Sequence, residues 1–556
     1  MASQAAFARR EPRRSGTLVP IGTVNVRANL RLRKLLCSKL EVPHMRVSTM
    51  VSPTIESVAD GRWPVIIQGG MGVAVSSWQL ARTVSQAGQL GVVSGTALDV
   101  VIARRLQDGD VDGDIRRALE AFPVPAMAQR VLRRYFRKGG RTPGKPYRPV
   151  PKLSMRASAA DLELSVVANF AEVWLAKEGH DGLVGINFME KIQLATASAA
   201  YGAMLADVDY VLMGAGIPAE IPGLLDRLAA HEPCSLNLHV AGATVTYTAD
   251  FDPEDLTGGE LAPLRRPTFL AIVSAHVLAA YLSREDATRP DGFIVEGPRA
   301  GGHNAPARGR PVLDDDGQPV FGPRDEADLD KIAAIGLPFW LAGGYASAEQ
   351  VAHARSAGAA GVQVGTLFAL CAESGLDPTL RQEALTELGA GRLGVRTDPL
   401  ASPTGFPFKV ASLPQTLSDA ETYAARPRLC DLSYLRIPFE REPGTVGYRC
   451  PAEPVHTYVR KGGDPADTIG RKCVCNGLAA AAGLAQTRRN GYSEPPIVTL
   501  GADLDGVAKM LSDFPAGWTA AQAVDQLLGI CESVSTAALK HVDVHDAAPF
   551  KPETLA

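Results

Sequence analysis

Eight short apolar runs, each closing on a glycine-rich or small-residue turn, constrain this chain more than any other feature of its sequence. They occupy residues 64–67, 90–93, 183–188, 210–213, 268–273, 292–296, 339–342 and 361–364. The runs are continuous rather than alternating, which is what strands covered on both faces require. Amphipathic segments such as 219–230 and 347–357 separate most of them. Eight strand-then-helix units predict an α/β fold, a (β/α)8 barrel. A doubly wound sheet would announce itself by G-x-G-x-x-G after an early strand, with an acid about twenty residues later. The sequence has no such fingerprint.

The rhythm sets the expected domain limits. Residues 51–390 form the barrel, interrupted at 122–160 and 234–256. The first insertion carries ten basic residues and no acid, among them Arg133, Arg134 and Arg137. The second holds two alternating runs, 235–240 and 244–248, around Ala-Gly-Ala and predicts a β-hairpin. Residues 391–556 read as an extension packed on the barrel, rich in Pro, Gly and Cys at first and helical again over 500–540. Residues 1–50 are Arg-rich, with only Glu11 and Glu41 as acids, and lack an apolar core segment. They read as a disordered basic tail, with Met45 and Met50 as alternative starts.

Composition narrows the class. A net charge of −3 argues against wholesale nucleic-acid binding. No run of about eighteen apolar residues is present, so no membrane span is expected. Eight cysteines in 556 residues do not make a disulfide framework. A reducing, cytoplasmic location follows as an expectation. Cys37, Cys234, Cys371 and Cys531 are scattered, whereas Cys430, Cys450, Cys473 and Cys475 lie closer together. Four thiolates can hold zinc or an iron–sulfur cluster. The C-x-C and the long separations are not a recognised ligand spacing, so no metal is assigned.

Every motif with chemical content follows a barrel strand, at the face where barrel enzymes place their sites. Gly343-Gly344 follows the seventh run and Gly365-Thr366 the eighth, the two turns that commonly hold a phosphate. Gln68-Gly-Gly-Met-Gly72 follows the first, where glycines let main-chain amides lie against a planar ligand and Met71 offers a soft surface. Glu296-Gly-Pro-Arg-Ala-Gly-Gly-His303-Asn304 follows the sixth. His303 sits after two glycines, and an imidazole titrates near neutrality, which suits proton transfer.

These motifs, with Gly185-Ile-Asn-Phe188, Gly214-Ala-Gly-Ile-Pro218, Ala300-Gly-Gly-His303, Ala342-Gly-Gly344 and Gly361-Val-Gln-Val-Gly-Thr366, resemble those of the nitronate monooxygenases, a family of FMN-dependent barrel oxidoreductases. The resemblance covers roughly residues 60–380. It implies that FMN is the cofactor and that Gln68, Gly69, Gly70, Met71 and Gly72 line the flavin ring. It also implies that Asn187 bonds the ring's polar edge and that Gln363 reaches the ring. Gly343, Gly344, Gly365 and Thr366 would hold the FMN phosphate, with Gly301 and Gly302 in the same site. His303 would be the base that takes a proton from the substrate carbon.

The activity so implied is oxidation of a small carbon acid or nitronate with O2. A second activity runs the flavin the other way. In that reading NAD(P)H reduces it, and an alkene on a carrier-protein- or coenzyme-A-bound acyl chain reoxidises it. The chain departs from the family at Arg299, where an acid is usual, in the basic insertion and in the long extension. The basic insertion suits a phosphate-bearing or carrier-bound substrate. A barrel retained only to bind flavin or a partner would have lost the side chains of the active face, and they are present.

Overall fold

In the computed structural model, which describes residues 63–259 and 261–530, all eight runs are strands of one parallel sheet. They are β1 (Ile66–Gln68), β2 (Gly91–Ser94), β3 (Val184–Met189), β4 (Tyr210–Gly214), β5 (Thr268–Val273), β6 (Gly292–Glu296), β7 (Phe339–Ala342) and β8 (Gly361–Val364). Their spatial order is β1-β8-β7-β6-β5-β4-β3-β2. A parallel bridge between Ile67 and Leu90 joins the two ends. Gln68 N donates to Leu90 O at 3.0 Å and Leu90 N to Ile66 O at 3.1 Å, which closes the (β/α)8 barrel.

Alternate strand residues go to two different cores, and this is why the runs are unbroken. Ile67, Val92, Leu212, Leu270, Ile294 and Trp340 meet in an inner cluster. Their sequence neighbours Ile66, Val93, Val211, Phe269, Phe293 and Leu341 belong to the outer cluster shared with the helices. With strand side chains alternating faces, a strand buried on both sides is apolar at nearly every position except toward its C-terminal end, where Gln68, Asn187, Glu296 and Gln363 stand. Trp340 is fully buried, and its indole N–H donates to Pro64 O at 2.8 Å.

The insertions take different shapes. In the first, helix Pro125–Tyr135 begins with proline, which costs nothing where the N–H is unpaired anyway. It packs on helix Ala159–Lys177, whose start is fixed by a capping box of Ser158 and Asp161. The second insertion is a hairpin, but its strands are Cys234–Asn237 and Thr248–Phe251. The alternating run 244–248 contributes Tyr247 to a separate small cluster with Leu238 and Val240. Val245 of the same run is exposed, so its alternation does not mark a buried strand face.

The segment after 390 has a small core of its own, built from Ala401, Phe408, Val410, Leu417, Leu435, Val474 and Ile497, and packs its remaining apolar residues on the barrel. Val498, Leu500, Val507, Met510, Trp518 and Val524 join the same outer cluster as the barrel strands. Trp518 donates its indole N–H to Leu367 O at 2.9 Å and accepts from Ala372 N at 2.8 Å. Two antiparallel pairs, Val395–Asp398 with Phe408–Ala411 and Ile437–Glu442 with Thr445–Arg449, lead into helices Val474–Ala481, Asp505–Asp513 and Ala520–Leu528. The expected basic tail, Cys37 and Cys531 lie outside the described residues. Among the described residues no helix is long and apolar enough to cross a membrane.

An ion pair ties the extension internally. Arg426 meets Glu494 at 2.7 Å with side chains 1% and 3% exposed, and Tyr492 Oη also donates to Glu494. Removing one member of a buried pair leaves the other charged and unsolvated. Arg426→Met is therefore expected to destabilise the protein by about 3–5 kcal/mol. Breaking the exposed Arg392–Glu387 pair should cost less than about 1 kcal/mol. Denaturant unfolding of the two variants checks the contrast, and equal midpoints would contradict it.

Candidate active site

A cavity of about 970 Å3 opens at the C-terminal ends of the strands. The turns after the strands supply its floor, and the extension supplies a wall of Leu432, Leu435, Val474 and Leu478. The structure brings Gly69, Gly70, Met71, Gly72, Asn187, Gly301, Gly302, His303, Gly343, Gly344, Gln363, Gly365 and Thr366 to this one cavity.

Gln68 does not reach it. Its amide is fully buried, donating to Ser76 Oγ at 2.8 Å and accepting from Val92 N at 3.0 Å. Gln68 thus fixes the first turn from below instead of meeting a ligand. Gly70 also has a structural reason, because a Cβ there would lie 2.2 Å from Asn187 Cβ.

Two buried acceptors face the cavity without partners. Asn187 donates Nδ2 to Gly70 O at 3.1 Å, which leaves its Oδ1 unpaired. Gln363 Oε1 is likewise unpaired. A buried polar atom without a partner costs about 1–3 kcal/mol, so these positions await a ligand with N–H donors. At the other end, Gly343 and Gly344 take φ of +92° and +101°. A Cβ on Gly343 would press within 2.9 Å of Ala300 N, whereas one on Gly365 would meet only Met71 Sδ at 3.6 Å. Position 365 therefore faces open space in the cavity.

The turn that carries His303 is held by the extension. Gly302 N donates to Thr499 Oγ1 at 2.9 Å, and Lys409 N donates to Gly302 O at 2.9 Å. Asn304 N donates to Pro407 O at 2.9 Å. His303 Nε2 meets Ser402 Oγ at 2.7 Å, Ser402 Oγ meets Thr404 Oγ1 at 2.8 Å, and Phe408 packs its edge against the imidazole at 4.8 Å. Phe408 is thus a packing residue, while Phe406 lines the cavity under the Lys191 ammonium. Further along, Gly501 N donates to Thr366 Oγ1 at 2.7 Å, and Asp503 meets Arg299 at 3.3 Å. The two residues stand beside Gly344.

Burial inverts the expected proton inventory. It pushes His303 down to about 4, so the imidazole is neutral and a weak base at neutral pH. It pushes Glu296, at the end of β6, up to about 8, so that carboxyl holds its proton. Lys409 lies nearby and is pushed down to about 8 by its own burial. Nothing in the Glu296–Asn304 motif by itself assigns Glu296 a role. Its signal was an acid closing an apolar strand at the active face.

The insertion reaches the site through Pro151 and Leu153, which line the cavity. Arg436 donates to Leu153 O, and Met155 N donates to Tyr448 Oη at 3.0 Å. Arg133, Arg134 and Arg137 do not line it. Arg137 N bonds Leu106 O, near the end of helix Leu98–Gln107 that runs away from the strand ends. The exposed cations beside the lining residues are Lys152 and Arg156.

Cys430, Cys450, Cys473 and Cys475 do gather: burial raises the proton affinity of Cys450, Cys473 and Cys475, and neighbouring thiols of the group add to it. Among the described residues, no group of three or more His, Cys, Asp or Glu is arranged to hold a metal ion.

Strands closed into a barrel, with every loop motif on one cavity, define an enzyme-type barrel. Residues 262–397, from just before β5 into the strand Val395–Asp398, match the nitronate monooxygenase family, and over that segment the resemblance in the motifs is shown. That match places this part of the barrel among oxidoreductases. No curated protein matches the chain.

Similar solved structures include FabK from Thermotoga maritima, at 15% identity and TM-score 0.43, covering 86% of this chain and 96% of that one. Another is nitroalkane oxidase from Streptomyces ansochromogenes, at 16% identity and TM-score 0.42, covering 85% and 97%. A third is the enoyl reductase domain of MlnA from Bacillus amyloliquefaciens, at 12% identity and TM-score 0.34, covering 66% and 68%. Likenesses this distant say nothing about chemistry.

The two glycine turns should respond differently to a methyl group. Gly343→Ala places a side chain in the left-handed region against Ala300 and should cost about 1–3 kcal/mol. Gly365→Ala has room and should leave thermal unfolding unchanged. Equal losses in both variants would contradict the difference in surroundings.

Proposed function

We propose that the protein is an FMN-dependent reductase of an activated alkene, carried as an acyl thioester and using NAD(P)H as electron donor. The observation that carries this reading is the proton inventory of the cavity. Reducing the alkene adds a hydride at one carbon and a proton at its neighbour. Glu296 holds a proton at neutral pH and faces the cavity, so it can supply the second. His303 is too weak a base to help pull a proton from a neutral carbon acid, but it can position a substrate carbonyl from its seat on Ser402.

The residues fit FMN. Gly365 leaves room at the end where a phosphate would sit, with Arg299, paired to Asp503, standing beside Gly344, and the unpaired acceptors of Asn187 and Gln363 suit the N–H edge of an isoalloxazine. When bound, FMN supplies the two-electron chemistry, taking hydride from a nicotinamide and returning it to the alkene. The volume, near the top of the ~300–1,000 Å3 range of small-molecule sites, leaves room for a second ligand. The extension's apolar wall suits the chain of an acyl group. Lys152 and Arg156 offer charge to the phosphate of a carrier arm or of coenzyme A.

Oxidation of a nitronate with O2 is the second reading, favoured by the family matched over residues 262–397. A nitronate arrives already deprotonated, so a weakly basic His303 is no obstacle to it.

Anaerobic stopped-flow measurements separate the two readings. NADPH should bleach the flavin, and a short enoyl thioester should restore its colour faster than a nitronate bleaches oxidised enzyme. Reoxidation should fall as pH rises through about 8, because Glu296 is then losing the proton it donates. Glu296→Gln should slow that step by roughly 10²–10⁴-fold while NADPH still reduces the flavin. Rapid bleaching by nitronate with no response to the thioester would overturn the proposal.

Gly365→Val should fold normally yet lose most of its flavin, because its side chain fills the phosphate end. Full flavin content in that variant, or released flavin that proves to be FAD, would count against the cofactor assignment.

A further inference from the structure

Arg299 is an arginine that stability does not account for. It stands on the turn after β6, its side chain is 68% exposed, and it lines the cavity. Its Nη1 donates to Asp503 Oδ2 at 3.3 Å, and among the described residues nothing else engages the guanidinium. An ion pair this open to water on one side adds little to folding. The two partners are nevertheless set in place. Ala502 N donates to Arg299 O at 2.9 Å, and Asp505 N donates to Asp503 Oδ1 at 3.3 Å, so both stand on anchored backbone. The Asp503 side chain is 9% exposed.

What the pair stands beside is Gly344. A Cβ on that residue would lie 3.1 Å from Asp503 Oδ2, 3.5 Å from Arg299 Cδ and 3.9 Å from Arg299 Nη1. The ion pair therefore borders the glycine turn after β7. Gly501 N donates to Thr366 Oγ1 at 2.7 Å, so the same stretch of the extension also holds the turn after β8. Among the described residues three lysines and arginines line the cavity. Arg436 is committed to the carbonyls of Ser433 and Leu153. Lys191 stands 3.8 Å from Glu190 and over the Phe406 ring. Arg299 is the one that stands at the glycine turns. Only its Nη1 is engaged, which leaves Nε and Nη2 as the fork that grips paired oxygens of a phosphate.

We propose that Arg299, held by Asp503 of the extension, is the side chain that recognises the phosphate of the flavin cofactor and gives the cavity its preference for FMN over the phosphate-free flavin. The proposal rests on the reading of the cavity as a flavin site. Backbone amides at a glycine turn hydrogen-bond a phosphate but bring no net charge to it. A carboxylate at the same end repels it, and Asp503 is such a carboxylate. Arg299 offsets that charge through Nη1 and offers its remaining donors to the phosphate. Without the arginine, the glycine turns would face a dianion with an uncompensated acid beside them.

The test is titration of the flavin-stripped full-length protein with FMN and with riboflavin, read by quenching of flavin fluorescence and so independent of turnover. The wild type should bind FMN more tightly than riboflavin by roughly tenfold or more. Arg299→Gln should weaken FMN by roughly tenfold or more and leave riboflavin unchanged. Arg299→Glu should weaken FMN further, again without affecting riboflavin. Added salt should erode the FMN preference of the wild type more than that of Arg299→Gln, because the interaction removed is one between partly exposed charges. Riboflavin binding also reports that each variant is folded.

If the wild type binds neither flavin, the cavity is not a flavin site and the functional reading fails with it. If the wild type binds both flavins equally, or Arg299→Gln holds FMN as tightly as the wild type, or FMN and riboflavin weaken together, the role of Arg299 alone is overturned. A variant that keeps FMN and instead stops distinguishing NADPH from NADH would also overturn it, by assigning the arginine to the dinucleotide.

Discussion

The site depends on a short antiparallel clasp between the turn 302–304 and the strand that carries Pro407 and Lys409. Lys409 N to Gly302 O and Asn304 N to Pro407 O are both 2.9 Å long. A turn that runs over the mouth of a barrel has backbone groups that its own strand can no longer satisfy, and buried backbone groups must find partners. Here the partners come from the extension. Thr499 takes the remaining amide at Gly302, and Ser402 takes the imidazole. Without these contacts His303 would stand on a glycine pair with nothing to fix it. The chemistry of the barrel is therefore a joint product of the barrel and the segment after it.

The same contacts explain the electrostatics. Phe408 and the clasp pack against His303, which stays half-buried on the cavity wall, and burial lowers an imidazole's proton affinity and raises a carboxyl's. Glu296 and His303 are displaced in opposite directions by one cause. A protonated acid and a neutral imidazole facing one cavity suit delivery of a proton better than its removal.

The barrel was legible in the sequence because its strands are buried on both faces. Residues of both parities must then be apolar, and the eight runs stand out at nearly their true limits. The glycine turns were legible for a related reason, since backbone that approaches a ligand or takes a positive φ excludes side chains, as at Gly343 and Gly344. What failed to show was whatever depended on distance in space. Gln68 belongs to a suggestive motif, yet its partners Ser76 and Val92 turn it away from the cavity. The proton affinities of His303 and Glu296 depend on residues such as Phe408 and Lys409, about a hundred positions along the chain. Of the apolar residues in the 244–248 run only Tyr247 is buried, in a small cluster with Leu238 and Val240, while Val245 is exposed, a fate that periodicity cannot distinguish from a strand.

The clasp also bears on the order in which the protein matures. Gly302 bonds a side chain 197 residues further along, and His303 one 99 residues further along. A chain emerging from the ribosome presents all eight strands well before Thr499 is made. Closing such distant contacts is the slow part of folding, and domains generally form from the N-terminal side during synthesis. The barrel can thus assemble while its histidine is still unanchored and its cavity has no wall. The cavity is completed only once Thr499 and the segment around it are in place.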